Sequence, residues 1–475
     1  MTTPQNPTTP PDGTDKDIGT TSQDRARRVY ERALDHHRAG RFDEAIKDYT
    51  SVVHAAPMSA DVYNNLGVAL RATGRADAAV ACYRRSLALR PGAAGVYTNL
   101  GNALRDLGEA ARAVEAHRRA VKYAPKSPKA LFNAGLALRD VDQTNAALDH
   151  FNRAIKLEPT YVLARVEHAR TLLRLGEWKR GFKELEIRFA LPGKDPRRKG
   201  IPMWNGSPLQ DKTILINFEH GEGIAVLFSR FAAALKRMGG RVVFECPVHM
   251  AHLFSAAPDV DATLNLGAPA VGIDVQIPLL SLPARLSAQV DNLPAETPYL
   301  AAPKFGGQAL DIHPQARLAV GLVWSGGWAG RPANGPLRIG DMKLADLDEL
   351  FSIPDLHLMS LERGQGAHDI ARLGMQSLIQ EGGTSIMDVA DLAGIIDQLD
   401  VVICVDSVAA HVAGALGKPV WLLARPGADW CWLLDREDSP WYPSMRVFRK
   451  RPDQSWADLV SIVRKALVDV IKGAA

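Results

Sequence analysis

Residues 57–91 read PMSADVYNNLGVALRATGRADAAVACYRRSLALRP, and this frame recurs through the N-terminal third of the chain. Pro57, Pro91, Pro125 and Pro159 stand 34 residues apart. Gly40, Gly74 and Gly108 form a second column, with Asp142 in the fourth frame. Ala45, Ala79, Ala113 and Ala147 form a third column, and Tyr49, Tyr83, His117 and Phe151 a fourth. Leu66-Gly67 and Leu100-Gly101 recur together, with Ala134-Gly135 close to them. Small residues let the two helices of one unit cross closely. The glycine after the first helix adopts a left-handed conformation without a Cβ clash. The proline stops the second helix, because it lacks an N–H and clashes with the preceding turn. Each hairpin leaves an apolar face bare, so neighbours must stack.

The pattern resembles the tetratricopeptide repeat, a helix–turn–helix unit with this period. The first frame is weaker: Ala33 stands in the column of Gly67 and Gly101, and His36 in that of Leu70 and Leu104. A fifth unit begins near Tyr161 and diverges around Gly176-Glu177-Trp178, as terminal repeats do. Residues 23–190 are therefore expected to form a solenoid of about five repeats. Residues 1–22 are rich in Thr, Pro, Gln and Asp, and too poor in large apolar side chains to offset the entropy of ordering; they are expected to be a disordered tail.

The 475-residue chain is too long for one ordinary core. A net charge of +4 is too small to argue for nucleic acid, and no zinc-finger spacing or RNA-binding aromatic signature occurs. Cys82, Cys246, Cys404 and Cys431 form no CxxC pair and sit in apolar stretches, which fits reduced thiols in a reducing, cytoplasmic compartment. There is no signal-peptide h-region and no uninterrupted apolar span, so neither secretion nor membrane insertion is expected.

Residues 191–211 carry Pro, Gly and the basic group Lys194, Arg197, Arg198 and Lys199, and read as a solvated linker. Beyond it the periodicity changes. Thr213–Phe218, Ile224–Met238 and Arg241–Cys246 alternate strand, helix and strand. Leu318–Trp324 and Leu356–Leu361 are strand-like, Ile386–Leu399 helical, Val401–Val405 a strand, Ser407–Leu416 helical and Pro419–Leu423 a strand. Such alternation implies parallel sheets flanked by helices. Two halves joined by a Pro-containing connection near 293–314 predict a Rossmann-like lobe over 212–295 and another over 296–475, with Trp456–Ile471 a helix packing back on the second.

Four places could carry chemistry. In Val401–His411 an apolar strand ends in Asp406-Ser407 and a helix follows, so Ser407 or Asp406 can cap it. The free N–H groups of that helix favour an anion such as a diphosphate, and His411, one turn in, shares the face. A plain N-cap with a satisfied histidine fits the same spacing. In Glu219-His220-Gly221-Glu222-Gly223 the glycines allow close backbone approach, and Glu219, His220 and Glu222 offer acid–base groups; a structural βα turn reads equally well. Trp324-Ser325-Gly326-Gly327, followed by Arg331 and Arg338, suits phosphate or is a glycine loop with surface arginines. Trp430, Trp432, Asp435, Arg436, Asp438, Trp441 and Tyr442 read first as packing, with stacking on a base or sugar as the alternative. Asp259 and Asp261 form a DxD triplet of a kind common by chance, and no metal is expected.

Residues from about 160 to 470 resemble bacterial repeat-fused glycosyltransferases related to the heptosyltransferase family, including protein O-glycosyltransferases that act on flagellin. The blocks that carry the resemblance are residues 202–209, the Gly221/Gly223 loop, 321–326, 405–411, 414–421 and 434–443. The resemblance implies an α plus α/β chain, with the solenoid followed by a GT-B-like pair of lobes. Asp406, Ser407 and His411, with Ser325 and Gly326 nearby, would then meet the phosphates of a nucleotide-sugar substrate, without a further cofactor. It implies a protein acceptor held by the repeats, flagellin being one candidate. Such proteins usually follow the glycine loop with an aspartate that acts as base. Ile224 stands there, so either Glu222 or His220 substitutes or activity is lost. Transfer to a lipopolysaccharide or exopolysaccharide precursor, and a binding scaffold with an inactive transferase-like module, are the rival expectations.

Overall fold

The computed structural model describes residues 22–55, 57–193, 195–293, 297–303, 310–326 and 342–473. The expected disordered tail lies outside these residues except for Ser22, which opens the first helix. The described chain forms two compact units, one ending at Ala164 and the other beginning at Arg165.

The first unit is an all-helical repeat. Its helices are α1 (Ser22–Arg38), α2 (Phe42–Ala55), α3 (Ala60–Ala72), α4 (Ala76–Leu89), α5 (Ala94–Asp106), α6 (Ala110–Tyr123), α7 (Pro128–Arg139) and α8 (Thr144–Leu157). Gly40, Gly74 and Gly108 end the odd-numbered helices at φ 73, 79 and 73, and Asp142 adopts φ 61 in the same column. The following N–H reaches back to close each turn, Arg75 to Leu70 O at 2.9 Å and Glu109 to Leu104 O at 2.9 Å. The alanine column is fully buried. A Cβ on Gly67 would stand 2.6 Å from the Tyr83 ring, and one on Gly135 2.6 Å from that of Phe151. Glycine is required there because the aromatic column occupies the helix–helix crossing. Ion pairs join successive repeats: Arg71 bonds Asp106 and Arg105 bonds Asp140, one frame apart. These rungs are partly exposed, so apolar stacking carries most of the stability.

The second unit opens with most of α9 (Val162–Arg174), followed by α10 (Trp178–Leu185). Two parallel sheets come next. The first contains β1 (Thr213–Asn217), β2 (Arg241–Cys246), β3 (Ala262–Asn265) and β4 (Val275–Pro278), ordered β3-β2-β1-β4. Helices α11 (Glu222–Ser229), α12 (Ala232–Arg237), α13 (Val248–Ser255) and the short α14 (Leu282–Arg285) connect or follow its strands. The second contains β5 (Leu318–Val323), β6 (Leu356–Ser360), β7 (Gln380–Glu381), β8 (Val401–Val405), β9 (Val420–Ala424) and β10 (Met445–Arg449), ordered β10-β9-β8-β5-β6-β7. Helices α15 (Asp348–Phe351), α16 (Gln365–Leu373), α17 (Val389–Asp397), α18 (Val408–Ala415) and α19 (Trp456–Gly473) accompany it. Every paired strand in both sheets is parallel. The chain reverses direction across each sheet between β1 and β4 and between β5 and β8, which creates a crevice at the strand ends.

Three local expectations are corrected. Residues 195–211 are a docked strap and not a solvated linker. Trp204 is buried and its N–H donates to Gln276 O at 2.8 Å, while Arg198 pairs with the buried Glu245. The single helix expected over 224–238 is two helices, and the break coincides with Arg230, which turns inward to donate to Trp441 O at 2.8 Å. The helix expected to begin at Ile386 begins at Val389, because Asp388 and Asp391 form a capping box. The tryptophans of 430–442 are packing residues: Trp441 stacks on Trp178 at 4.4 Å, and Trp430 meets Phe182 edge-on. Asp261 of the DxD triplet is held by Lys236 and caps the Val242 N–H.

Candidate functional site

The crevice of the six-stranded sheet gathers loops that are far apart in sequence. Ser325 and Gly326 follow β5, Glu362 and Arg363 follow β6, and Asp406 and Ser407 lead from β8 into α18. Gly326 has φ 64, and a Cβ there would stand 3.0 Å from Asp406 O, so the two loops touch through backbone. Glu362 is 2 % exposed and accepts hydrogen bonds from the N–H groups of Trp324 and Ser325 and from Ser325 Oγ. Burial raises its pKa, and the Ser325 and Trp324 bonds oppose that rise. A shallow pocket of about 10 Å³, room for roughly one water molecule, lies here, lined by Val323, Leu361, Glu362, Arg363, Ser407, Val408 and Ala409.

Ser407 is the N-cap residue of α18 by backbone position, yet its side chain makes no cap bond and its Oγ is buried without a partner. The expected side-chain cap is absent because Asp406 turns elsewhere, accepting the Asp429 N–H at 3.4 Å. Burial first, then the charge of Asp429, pushes the Asp406 carboxyl up to about 6. Asp429 Oδ1 and Trp430 Nε1 are also buried and unpartnered. Buried orphans of this kind call for an explanation such as a bound group. His411 does not share this crevice. It is 4 % exposed, stacks on Trp432 at 4.7 Å and has Nδ1 3.0 Å from Tyr442 Oη. Burial lowers its pKa to about 4, so it is neutral. One helical turn carries the side chain inward against Gly223 of α11 and away from the cavity lining.

On the four-stranded sheet, the 219–223 loop divides its acid–base groups. Glu219 is committed to structure: it accepts two bonds from the buried Arg188 and one from the Leu280 N–H. His220 has φ 77, and its Nε2 lies 3.1 Å from Arg170 Nη2, which makes that nitrogen an acceptor. Desolvation, then Arg170, lowers its pKa, yet the residue stays exposed. Asp429 acts on it from the other sheet's side. Glu222 is buried at the start of α11 and pairs with His249 Nε2 at the start of α13. Burial raises the Glu222 pKa, and His249 and Arg363 pull it down. Sequence reasoning missed His249, Arg170, Asp429 and Glu362. Only Glu362 carried a signal, since it directly follows an expected strand. The candidates Arg331 and Arg338 lie outside the described residues.

With this geometry in hand, the helical part is identified: residues 30–94 and 98–162 match the tetratricopeptide repeat family. The N-terminal helical region thus contains tetratricopeptide repeats, and a region of parallel sheets and helices follows it. Protein FlbA of Caulobacter vibrioides is 28% identical to it over 342 residues, covering 65% of this chain and 55% of that protein. The chain therefore spans about half the length of this relative. Among solved structures, MamA from Desulfovibrio magneticus RS-1 is 20% identical, covers 36% of this chain and 98% of its own, and has a TM-score of 0.34. YrrB, described as a TPR protein with an unusual peptide-binding site, is 17% identical over 35% of this chain and 85% of its own, at a TM-score of 0.31. No helix among the described residues is long and apolar enough to cross a membrane.

Proposed function

We propose that this chain is a glycosyltransferase that moves a sugar from a nucleotide donor to a Ser or Thr hydroxyl of a protein held by the repeats. The observation that carries the reading is the pairing of two switch-point crevices within one unit: α11, which follows β1, abuts α18, which follows β8, so closely that a Cβ on Gly223 would stand 2.6 Å from the His411 ring. In this reading residues 212–295 and 296–475 are the acceptor-side and donor-side lobes of a GT-B-like module, and residues 23–190 are the acceptor clamp. The free N–H groups of α18, Ser407 Oγ and the Ser325-Gly326 loop take the donor phosphates. Partner binding brings a flexible hydroxyl to the anomeric carbon. Flagellin is the proposed acceptor on the resemblance in sequence. The proposed test is a thermal-shift screen of the full chain against UDP-, ADP-, GDP- and CMP-linked sugars. A ligand of the folded state raises the melting temperature; a flat response to all four classes contradicts the reading.

A scaffold without activity is the second reading, favoured by Ile224. Its side chain is buried in α11 and has no proton to exchange. Donor binding without turnover on any protein acceptor would select it.

A further inference from the structure

The sheet region needs a group that removes a proton from an incoming hydroxyl, and three carboxylate or imidazole groups sit on the relevant loop. Two are already spent. Glu219 is neutralised by Arg188, which is itself buried and also bonded to Glu186 and Ser281. His220 turns its Nε2 lone pair to the Arg170 guanidinium, and a second proton on that ring would set two cations together. Glu222 remains, but its carboxylate is 8 % exposed at the side chain and faces a partner, not solvent. That partner, His249, keeps 40 % of its side chain exposed.

We propose that His249, backed by Glu222, is the catalytic base of the transfer. This rests on the transferase reading above. With Nε2 bonded to the carboxylate, Nδ1 is the nitrogen that accepts a proton. The acceptor hydroxyl gives its proton to Nδ1 as its oxygen forms a bond to the anomeric carbon. The bond from that carbon to the donor phosphate oxygen breaks, and the nucleotide leaves with the electron pair. The imidazolium formed is stabilised by Glu222, as a buried carboxylate stabilises a histidine base in hydrolytic triads.

Two further observations support the assignment. Gly223, next to Glu222, packs on His411 of α18, where a Cβ would stand 2.6 Å from the ring, so the base pair and the proposed phosphate site at the start of α18 lie on abutting helices. Both partners are also held on rigid elements. Glu222 is the first residue of α11 and packs after Gly221, which has φ 145, and His249 lies in the first turn of α13. The connection between the two lies between neighbouring strands β1 and β2, which fixes their separation.

The test uses the full chain, purified flagellin and whichever of the four nucleotide-sugar classes raises the melting temperature. His249→Ala and the shape-conserving His249→Gln are compared with wild type for transfer rate and for the donor-induced melting shift. Loss of a general base lowers turnover by roughly 10²–10⁴-fold. The expected result is such a loss in both variants, an unchanged donor-induced shift, and partial rescue of His249→Ala by added imidazole. Glu222→Gln should lose at least roughly tenfold without imidazole rescue. Wild-type transfer with both His249 variants within about threefold of it, a difference too small for a lost base, overturns the base assignment and leaves the transferase reading standing. Absence of transfer by the wild type overturns both.

Discussion

The His117 ring fills the space that Gly101 leaves open: a Cβ on Gly101 would stand 2.5 Å from His117 Nε2, and neither ring nitrogen has a hydrogen-bond partner. In its column this position otherwise holds Tyr49, Tyr83 and Phe151, so the site asks for an apolar ring. Burial, followed by Arg105, lowers the His117 pKa from 6.5 to about 3. The unfolded chain therefore takes up the proton first. Stability is full above pH 6.5 and falls as pH drops towards 3. At about pH 5 the loss is about 2 kcal/mol, one and a half pKa units at 1.36 kcal/mol each. His117→Phe should remove this slope and raise stability in mild acid. Urea unfolding followed by circular dichroism between pH 5 and 7.5 checks it; an unchanged slope contradicts the buried neutral state.

A second pH effect runs the other way. The Asp406 carboxyl, lifted to about 6, is ionised above that value and neutral below it. Asp429 and Arg425 are the charged groups that act on it, and the Asp429 N–H donates to it. Because the folded pKa lies above the ordinary 3.8, stability contributed here grows as pH falls from 6 towards 3.8. An anionic diphosphate beside it should likewise bind more tightly as pH falls through 6, by roughly fivefold between pH 7.5 and 5.5. Asp406→Asn should hold the tight state at pH 7.5. Isothermal titration with a nucleoside-diphosphate sugar, whose diphosphate does not titrate in this range, reads the effect; a pH-independent affinity in wild type contradicts it.

Glu362 should prove structural for the crevice of the six-stranded sheet. Glu362→Ala leaves the N–H groups of Trp324 and Ser325 and the Ser325 hydroxyl without their acceptor. The expected cost is about 3 kcal/mol, with the donor-induced melting shift lost. Glu362→Gln keeps the acceptor oxygen and should lose about 1 kcal/mol. Equal stability of the two variants would show that the bonds do not hold the loop.

What could be read before the structure follows from where the information sits. The repeat was legible because each column obeys a local rule: Gly74 and Asp142 at left-handed turns, Ala79 and Gly67 at crossings. The strands Val401–Val405 and Arg241–Cys246 were legible because buried parallel strands are continuous apolar runs. The strap at 195–211 was not, since Arg198 and Trp204 find their partners Glu245 and Gln276 only after the sheet has formed. The site was half legible. Ser325, Gly326, Asp406 and Ser407 meet at strand ends, where topology alone points. Helical spacing puts His411 on the face of Ser407, but spacing gives a face, not which neighbour occupies it, and Trp432 and Tyr442 occupy this one. His249 had no local signal, because its role depends on a contact with Glu222 across two strands.

The most direct test of the account is the intact mass of flagellin incubated with this chain and a donor that it binds. The account predicts a discrete increase equal to one or more sugar residues, dependent on both the chain and the donor. Unchanged flagellin mass, with the chain folded and the donor bound, would contradict it.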